Sequence, residues 1–384
     1  MRILIVHNAY QQRGGEDAVV ESETQLLRSR GHEVRAFARH NDEIQGLGKG
    51  AVAQKTLWSR DSVAEINDTV SKWRPDIVHV HNTFPLISPS VYWAVAAHGI
   101  PVVQTLHNFR LICPQAMFLR EGRVCEDCVG HSTWRAVTRG CYRNSKLQSA
   151  VLTGMLGLHR SIGTYRNKVT RYIALNDFCR RKFIEGGLPA DKVVVKPNFV
   201  DYPAATAADR QGFLFVGRLS VEKGIGALAE AARHVPEVPI RIAGTGPEAH
   251  LLQNVPNATM LGALGGDDVR RQMETATALI LPSIWYENFP RTLVEAFAAG
   301  LPVIGSRLGA LEELIEDGVT GLLFDPGDAG QLASKIRWAQ SNVTAMAEMG
   351  RHARARYEKN FTADKNYEQL ICIYQDAISA IKLR

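Results

Sequence analysis

The chain has 384 residues, 45% of them hydrophobic and 22% charged, with a formal net charge of +6. That length suits two domains of similar size better than one core, and the composition is globular and excludes a disordered chain. No apolar run reaches the roughly 18–20 residues that a membrane-spanning helix needs. The opening Met1–His7 reads as a first strand and not as an export signal, because its apolar run is short and no small-residue cleavage site follows. The six cysteines are therefore expected as reduced thiols or metal ligands and not as disulfides. The charge is unevenly spread: between Gly130 and Lys182 stand eleven Lys or Arg and one acid, Asp177. Such a stretch suits an anionic partner, whether lipid headgroups, a lipid-linked pyrophosphate or nucleic acid. No nucleic-acid-binding module accompanies it, so no nucleic acid is expected.

In chain order, short β-branched runs alternate with helical stretches, the pattern of parallel α/β sheets. Strands are predicted at Arg2–His7, Glu33–Ala38, Asp76–His81, Val102–His107, Tyr172–Leu175 and Val193–Lys196, with helices between them such as Asp17–Arg30 and Phe178–Glu185. Pro197, Pro203 and the small-residue run Ala204-Ala205-Thr206-Ala207-Ala208 read as a linker. The alternation restarts at Phe213–Val216 and continues through Ile240–Ala243, Thr259–Leu261, Leu279–Leu281, Val303–Gly305 and Gly321–Phe324. From about Gln331 the chain reads as helical. The expected division is a domain over 1–200 with a cysteine-containing insertion at 108–145, a second over 210–360, and a final helical segment, 361–384, returning to the first.

Ligands of open parallel sheets sit beyond the carboxyl ends of the strands, so the loops there carry the candidate chemistry. After the first strand, Gly14-Gly15 precede a helix whose N-terminus offers free N–H groups to an anion. Ala243-Gly244-Thr245-Gly246-Pro247-Glu248 has the first two glycines of a dinucleotide fingerprint and is predicted to open a helix. No acid ends the next strand, however, and a nicotinamide site is set aside. After Phe213–Val216, the loop from Gly217 to Gly224 places Arg218 and Lys223 five residues apart, where both can point at one anion such as a diphosphate leaving group. In Trp285-Tyr286-Glu287-Asn288-Phe289-Pro290-Arg291-Thr292-Leu293-Val294-Glu295-Ala296, Glu287 falls on a loop and Glu295 one turn inside a helix starting near Arg291. One carboxylate can hold sugar hydroxyls and the other a ribose. The N–H groups between Asn288 and Thr292 face any diphosphate between them.

This stretch resembles the E-x7-E signature of retaining glycosyltransferases with the GT-B fold, the family-four or group 1 type. Gly14-Gly15, Thr105-Leu106-His107, Gly217-Arg218, Lys223-Gly224, Gly244-x-Gly246-Pro247-Glu248 and Gly300-Leu301-Pro302-Val303 occur in the expected order over nearly the whole chain. The resemblance implies an α/β GT-B fold, two Rossmann-like domains facing across a central cleft. It implies transfer of a sugar, with retention, from a nucleotide-diphosphate sugar to a glycan or lipid-linked acceptor in surface polysaccharide or glycolipid synthesis. Arg218 and Lys223 would bind the diphosphate and stabilise its charge, Glu287 the sugar with the backbone of Asn288 and Phe289, and Glu295 the ribose. His107 would lie at the sugar and acceptor site, with Gly15 near the phosphate. Many members carry glycines where Asn288 and Pro290 stand, and Pro290 lacks one backbone donor. No residue stands out as an activated nucleophile and no Asp-x-Asp is present, so no cofactor or catalytic metal is expected. His81 and Asn82 are expected at the acceptor edge.

Two alternatives keep the fold: a nucleotide-sugar epimerase or hydrolase, and a non-catalytic nucleotide-sugar-binding module. The amphipathic stretch Lys146–Tyr165 puts Ala150, Val151, Leu152, Met155, Leu156, Leu158 and Ile162 largely on one face beside basic residues. It is expected either on anionic lipid, which would make the protein cytoplasmic and peripheral on the inner membrane face, or packed on its own domain. Cys113, Cys125, Cys128 and Cys141, with a central C-x2-C, could close a four-thiolate structural zinc that pins an otherwise irregular insertion. Cys179 and Cys372 read as ordinary thiols.

Overall fold

A computed structural model describes residues 1–12, 14–202 and 209–382. The linker residues Pro203 and Ala204-Ala205-Thr206-Ala207-Ala208 lie outside them. The chain divides into two compact units: Met1–Met117 with Glu126–Asn198 and Asn366–Arg384, and Phe118–Cys125 with Phe199–Lys365. The chain end is grouped with the first unit, and the short segment Phe118–Cys125 with the second.

The strands of the first half are β1 (Arg2–Ala9), β2 (Glu33–His40), β3 (Ile77–Asn82), β4 (Val102–Thr105), β5 (Leu119–Arg120), β6 (Arg123–Val124), β7 (Arg171–Ala174) and β8 (Val193–Val195). Six of them form an all-parallel sheet in the order β2-β1-β3-β4-β7-β8, and β5 and β6 form an antiparallel hairpin. Ile3, Leu4, Ile5 and Val6 are buried in succession, as expected where helices cover both faces of a parallel strand. The last helix, Ala363–Lys382, supplies Leu370, Tyr374 and Ala377 to the core built on Ile3, Ile5, Ile77, Val103 and Ile173.

The second unit's strands are β9 (Phe213–Val216), β10 (Ile240–Ala243), β11 (Ala258–Gly262), β12 (Ala278–Leu281), β13 (Val303–Ser306) and β14 (Gly321–Phe324). They form a parallel sheet in the order β11-β10-β9-β12-β13-β14. Taken in chain order this is 3-2-1-4-5-6, the doubly wound arrangement whose ligand crevice opens where the winding reverses. That switch lies between β9 and β12. In the first sheet the reversal lies between β1 and β3.

Most strand bounds shift by one or two residues from the prediction, and at three places the structure shows why the reading departs. The strand expected to end at His107 stops at Thr105, because Asn108 Oδ1 accepts from Arg110 N and caps a 3-10 turn, Phe109–Leu111. The helix expected after Gly246 is only a 3-10 turn, Pro247–Leu251. The stretch Lys146–Tyr165 is a helix only over Lys146–Ser161, followed by Gly163 at φ 74° and a π turn. Its apolar face is largely turned inward: Leu152, Met155 and Leu156 are buried, and the helix packs on Lys49–Leu57 and Arg135–Arg139. Leu147 and the neighbouring Trp134 remain 72% and 60% exposed.

Candidate active site

The second unit's switch point carries the glutamates and cations singled out in the sequence. Beyond β9, Gly217 starts a loop that ends in a 3-10 turn, Val221–Lys223, and the helix Ile225–His234 follows. Gly224, at φ 72°, is the only residue type that fits its place, since a Cβ there would meet Pro282 O at 1.8 Å. The close approach brings the loop after β9 onto the loop after β12. There Lys223 Nζ lies 2.6 Å from Glu287 Oε1, which also accepts from Ser283 Oγ at 2.7 Å. The Lys223 ammonium stands 5.5 Å from the centre of the Trp285 ring. Glu287 is buried, so its charge is matched by a fixed cation and a hydroxyl, as a buried carboxylate requires.

Arg218 and Lys223 pair with different carboxylates: the Arg218 side chain is 68% exposed and its guanidinium lies 2.7 Å from Glu222. Burial alone would raise the Glu222 pKa, but the Ser220 hydroxyl, the residue's own N–H and Arg218 hold it below the usual range. Glu222 was not singled out in the sequence; an acid next to a lysine in a loop gives no signal by itself. On the helix Arg291–Ala298, Arg291 Nε donates to Glu295 Oε1 at 2.8 Å, and burial raises the Glu295 pKa. The N-terminus of this helix, entered through buried Pro290, leaves Thr292 half-buried, as are Asn288 and Phe289. Free N–H groups at such an end favour an anion.

Gly244 and Gly246 have a structural explanation. A Cβ on Gly244 would stand 1.9 Å from Gly217 O, and one on Gly246 2.3 Å from Leu219 O. Gly217 N donates to Ala243 O, and Leu219 N to Thr245 O. These glycines let two adjacent loops pack backbone to backbone and so fix the course of the Gly217–Gly224 loop.

In the first unit, Gly14 N donates to Asp17 Oδ2 at 2.8 Å, while Asp17 Oδ1 lies 2.8 Å from His7 Nε2. Gly15 is exposed, and a Cβ there would meet nothing within 4 Å. Next to it Tyr10 Oη donates to Glu16 Oε2 at 2.9 Å, and burial pushes the Glu16 pKa up to about 8. A pocket beyond β3 and β4 is lined by His81, Asn82, Phe84, His107, Asn108 and Arg110. His81 Nδ1 and His107 Nε2 are 2.9 Å apart, their rings stacked. Within that lining Asn82 makes two hydrogen bonds: its Nδ2 donates to Asn8 O and its Oδ1 accepts from Phe84 N. Beneath lie two residues the sequence reading missed, Glu23 and Lys196, joined at 2.6 Å and almost wholly buried. They are 173 residues apart, and no local pattern links them.

Glu23, His79 and His81 each offer an atom within 4.8 Å of the others. The Lys196 ammonium occupies the carboxylate, and both His79 nitrogens are engaged, by Tyr374 Oη at 2.7 Å and Thr105 Oγ1 at 2.8 Å. The donor set suits a hydrogen-bonded network better than a cation. Cys113, Cys125, Cys128 and Cys141 are all partly exposed, whereas Cys179 is buried.

Two family profiles match the chain, "Glycosyltransferase Family 4" over residues 13–202 and "Glycosyl transferases group 1" over residues 210–342. The chain is 29% identical over 310 residues to a glycogen synthase of Mycobacterium tuberculosis, covering 76% of this chain and 67% of that one. It is 26% identical over 366 residues to a phosphatidyl-myo-inositol mannosyltransferase of Mycobacterium leprae, covering 88% and 86%. The structure of Anabaena Alr3699/HepE in complex with UDP superposes with a TM-score of 0.68 at 19% identity, over 97% and 98% of the two chains. The architecture, two six-stranded parallel sheets, is the GT-B fold. The chain belongs to the group 1 glycosyltransferases.

Proposed function

We propose that this glycosyltransferase transfers a sugar from a nucleotide-diphosphate donor to a glycan or lipid-linked acceptor, with retention of anomeric configuration and without a catalytic metal. The observation that carries this reading is the pairing of Lys223 with Glu287 at the switch point of the second sheet. The ion pair holds a sugar-binding carboxylate and a diphosphate-binding cation together at the helix end where an anion is favoured. Arg218, exposed and paired with Glu222, can turn to the leaving diphosphate. Glu295 takes the ribose, and its raised pKa suits a carboxyl that bonds hydroxyls in a largely dry site. Among the described residues the neighbouring acids Glu222 and Glu295 are each paired with an arginine, so in this reading the leaving phosphate takes the acceptor proton and the protein supplies orientation and charge stabilisation. The similar Anabaena protein is in complex with UDP, which makes a uridine diphosphate sugar the first donor to try.

The test is a panel of nucleotide sugars screened by thermal stabilisation, followed by proton NMR of the product formed from the donor that binds. An α-linked product from an α-linked donor supports retention. An inverted anomer, or nucleotide release that does not depend on an acceptor, overturns the reading in favour of a different mechanism or a hydrolase.

Association with the inner membrane face belongs to the same proposal. It rests on exposed Trp134 and Leu147 beside the exposed cations Arg135, Arg139 and Lys146, an apolar and basic surface of the kind that binds anionic lipid. Cosedimentation with anionic and neutral vesicles decides it, and equal binding to both removes it. A structural zinc on Cys113, Cys125, Cys128 and Cys141 is likewise proposed from their spacing. Metal analysis of protein purified without added metal checks it, with roughly stoichiometric zinc expected and none contradicting it.

A further inference from the structure

His107 reaches the pocket from a loop, yet one of its two ring nitrogens is already committed inward. Its Nε2 lies 2.9 Å from His81 Nδ1, and one proton must sit between these two atoms. Which ring owns that proton decides what the other face of His107 can do. The answer comes from the far side of His81. His81 Nε2 has no hydrogen-bond partner among the described residues, and neither has Glu23 Oε2; both atoms are buried, and they stand 3.8 Å apart. That separation is too long for a direct hydrogen bond but short enough for the field of the carboxylate to orient the ring. Glu23 cannot turn away, because Lys196 Nζ holds its other oxygen at 2.6 Å. Nor can His81 tilt freely: His79 packs against it at 4.1 Å between ring centres, fixed at both its own nitrogens by Tyr374 and Thr105.

We propose that Glu23 and His81 are positioning residues that fix His107 as the Nε2–H tautomer, leaving its Nδ1 lone pair to accept a hydroxyl hydrogen from a bound sugar or acceptor. A neutral His81 carries its proton on one nitrogen only. Placing it on Nε2 turns the positive end of an N–H towards Glu23 Oε2, whereas a bare Nε2 would turn a lone pair towards the same oxygen in a medium that screens poorly. With Nε2 protonated, His81 Nδ1 is an acceptor, and His107 Nε2 must donate to it. The remaining nitrogen of His107 is then Nδ1, without a proton. Burial holds the pKa of both rings well below 6.5, so neither takes a second proton near neutral pH that would erase the choice. A carboxylate oriented by a lysine thus sets the hydrogen-bonding sense of a histidine two groups away, in the way outer partners fix the tautomer of a functional histidine.

The proposal rests on the reading of His107 as a substrate-facing residue, but its test does not. The full chain labelled with 15N-histidine is recorded by long-range proton–nitrogen correlation near pH 7.5, with His107 assigned from the signals missing in His107→Gln. The expected pattern is a protonated Nε2 and an unprotonated Nδ1 on His107, and the same on His81 with Nε2 as its protonated nitrogen. A proton on His107 Nδ1 in the wild-type protein overturns the proposal without any variant being needed. The double variant Glu23→Gln with Lys196→Met removes the orienting charge without stranding the lysine. There the His107 signals should move towards a mixture of the two tautomers, and an unchanged pattern also overturns the assignment to Glu23. His81→Gln should lower turnover roughly ten-fold, the scale of one hydrogen bond, with uridine diphosphate affinity unchanged. If instead His107→Gln leaves turnover intact while the spectrum is as expected, the substrate-facing role of His107 fails and the positioning chain stands.

Discussion

The two parallel sheets treat their polar residues in opposite ways. In the second unit the charged groups stand at the mouth of the switch point: Arg218 is 68% exposed, and Lys223 and Arg291 keep part of their side chains in solvent. Each is held by a glutamate within a few residues or across two adjacent loops. In the first unit the polar network is sunk beneath the strand ends, with Glu23, Lys196, His79 and His81 all 3% exposed or less. An exposed ion pair contributes little to stability, so Arg218 can exchange its partner for a ligand at small cost, whereas Lys223 answers the buried Glu287. A buried network has no such freedom, because an unpaired member leaves a desolvated charge. The difference teaches that one unit keeps its charged groups within reach of solvent, as the proposed ligand contacts need, while the other locks them into a buried network.

The largest expected effect lies on the solvent-facing side. Arg218→Ala or Lys223→Ala should lower kcat by roughly 10²–10³-fold, the scale of losing one donor that stabilises transition-state charge. Arg218→Ala should fold normally, whereas Lys223→Ala leaves the buried Glu287 carboxylate without its cation and should also lower the melting temperature. Turnover of Arg218→Ala equal to wild type would remove Arg218 from the site and leave the comparison without its most exposed member.

On the fixed side the expected effect is on stability and depends on pH. Burial lowers the His79 pKa from 6.5 to about 4. As pH falls below 6.5 the unfolded chain takes up a proton that the folded chain refuses until about 4, so stability is lost through that window. His7, His81 and His107 are also lowered by burial and act in the same sense. Glu16, raised from 4.5 to about 8, acts in the opposite sense, since the folded state keeps a proton there that the unfolded state releases. His79→Gln separates the terms. Between pH 7.5 and 4 the wild-type protein should lose about 3 kcal/mol more than this variant, from the shift of 6.5 to about 4 at about 1.4 kcal/mol per unit. Urea unfolding at several pH values reads it, and parallel curves for the two proteins would show that His79 is not held neutral.

The same contrast explains what could be read from the sequence. β9 and β14 fall where the alternation of apolar and helical stretches places them, because a parallel strand buried on both faces is a continuous apolar run. The pair Glu287 and Glu295 was legible since eight residues of loop and helix N-terminus carry it. Lys223 against Glu287 joins two loops, each next to a strand that could be seen, and followed once those strands were adjacent. Nothing local announces Glu23 with Lys196, which meet only when the first helix and the end of β8 come together. The expected helix at Pro247 failed for a related reason: Gly244 and Gly246 serve the neighbouring loop, a contact no window of sequence contains. The apolar face of Lys146–Ser161 showed the right periodicity but left its partner open, and the helices beside it cover most of that face.

The most direct measurement of the account is calorimetric binding of uridine diphosphate to four forms of the full chain: wild type, Lys223→Ala, Glu295→Gln and His107→Gln. The account assigns the nucleotide to the second unit's switch point. It predicts affinity weakened roughly ten-fold or more in Lys223→Ala and Glu295→Gln, the scale of a hydrogen bond to a charged group, and unchanged in His107→Gln. Undiminished binding in Lys223→Ala and Glu295→Gln would contradict it.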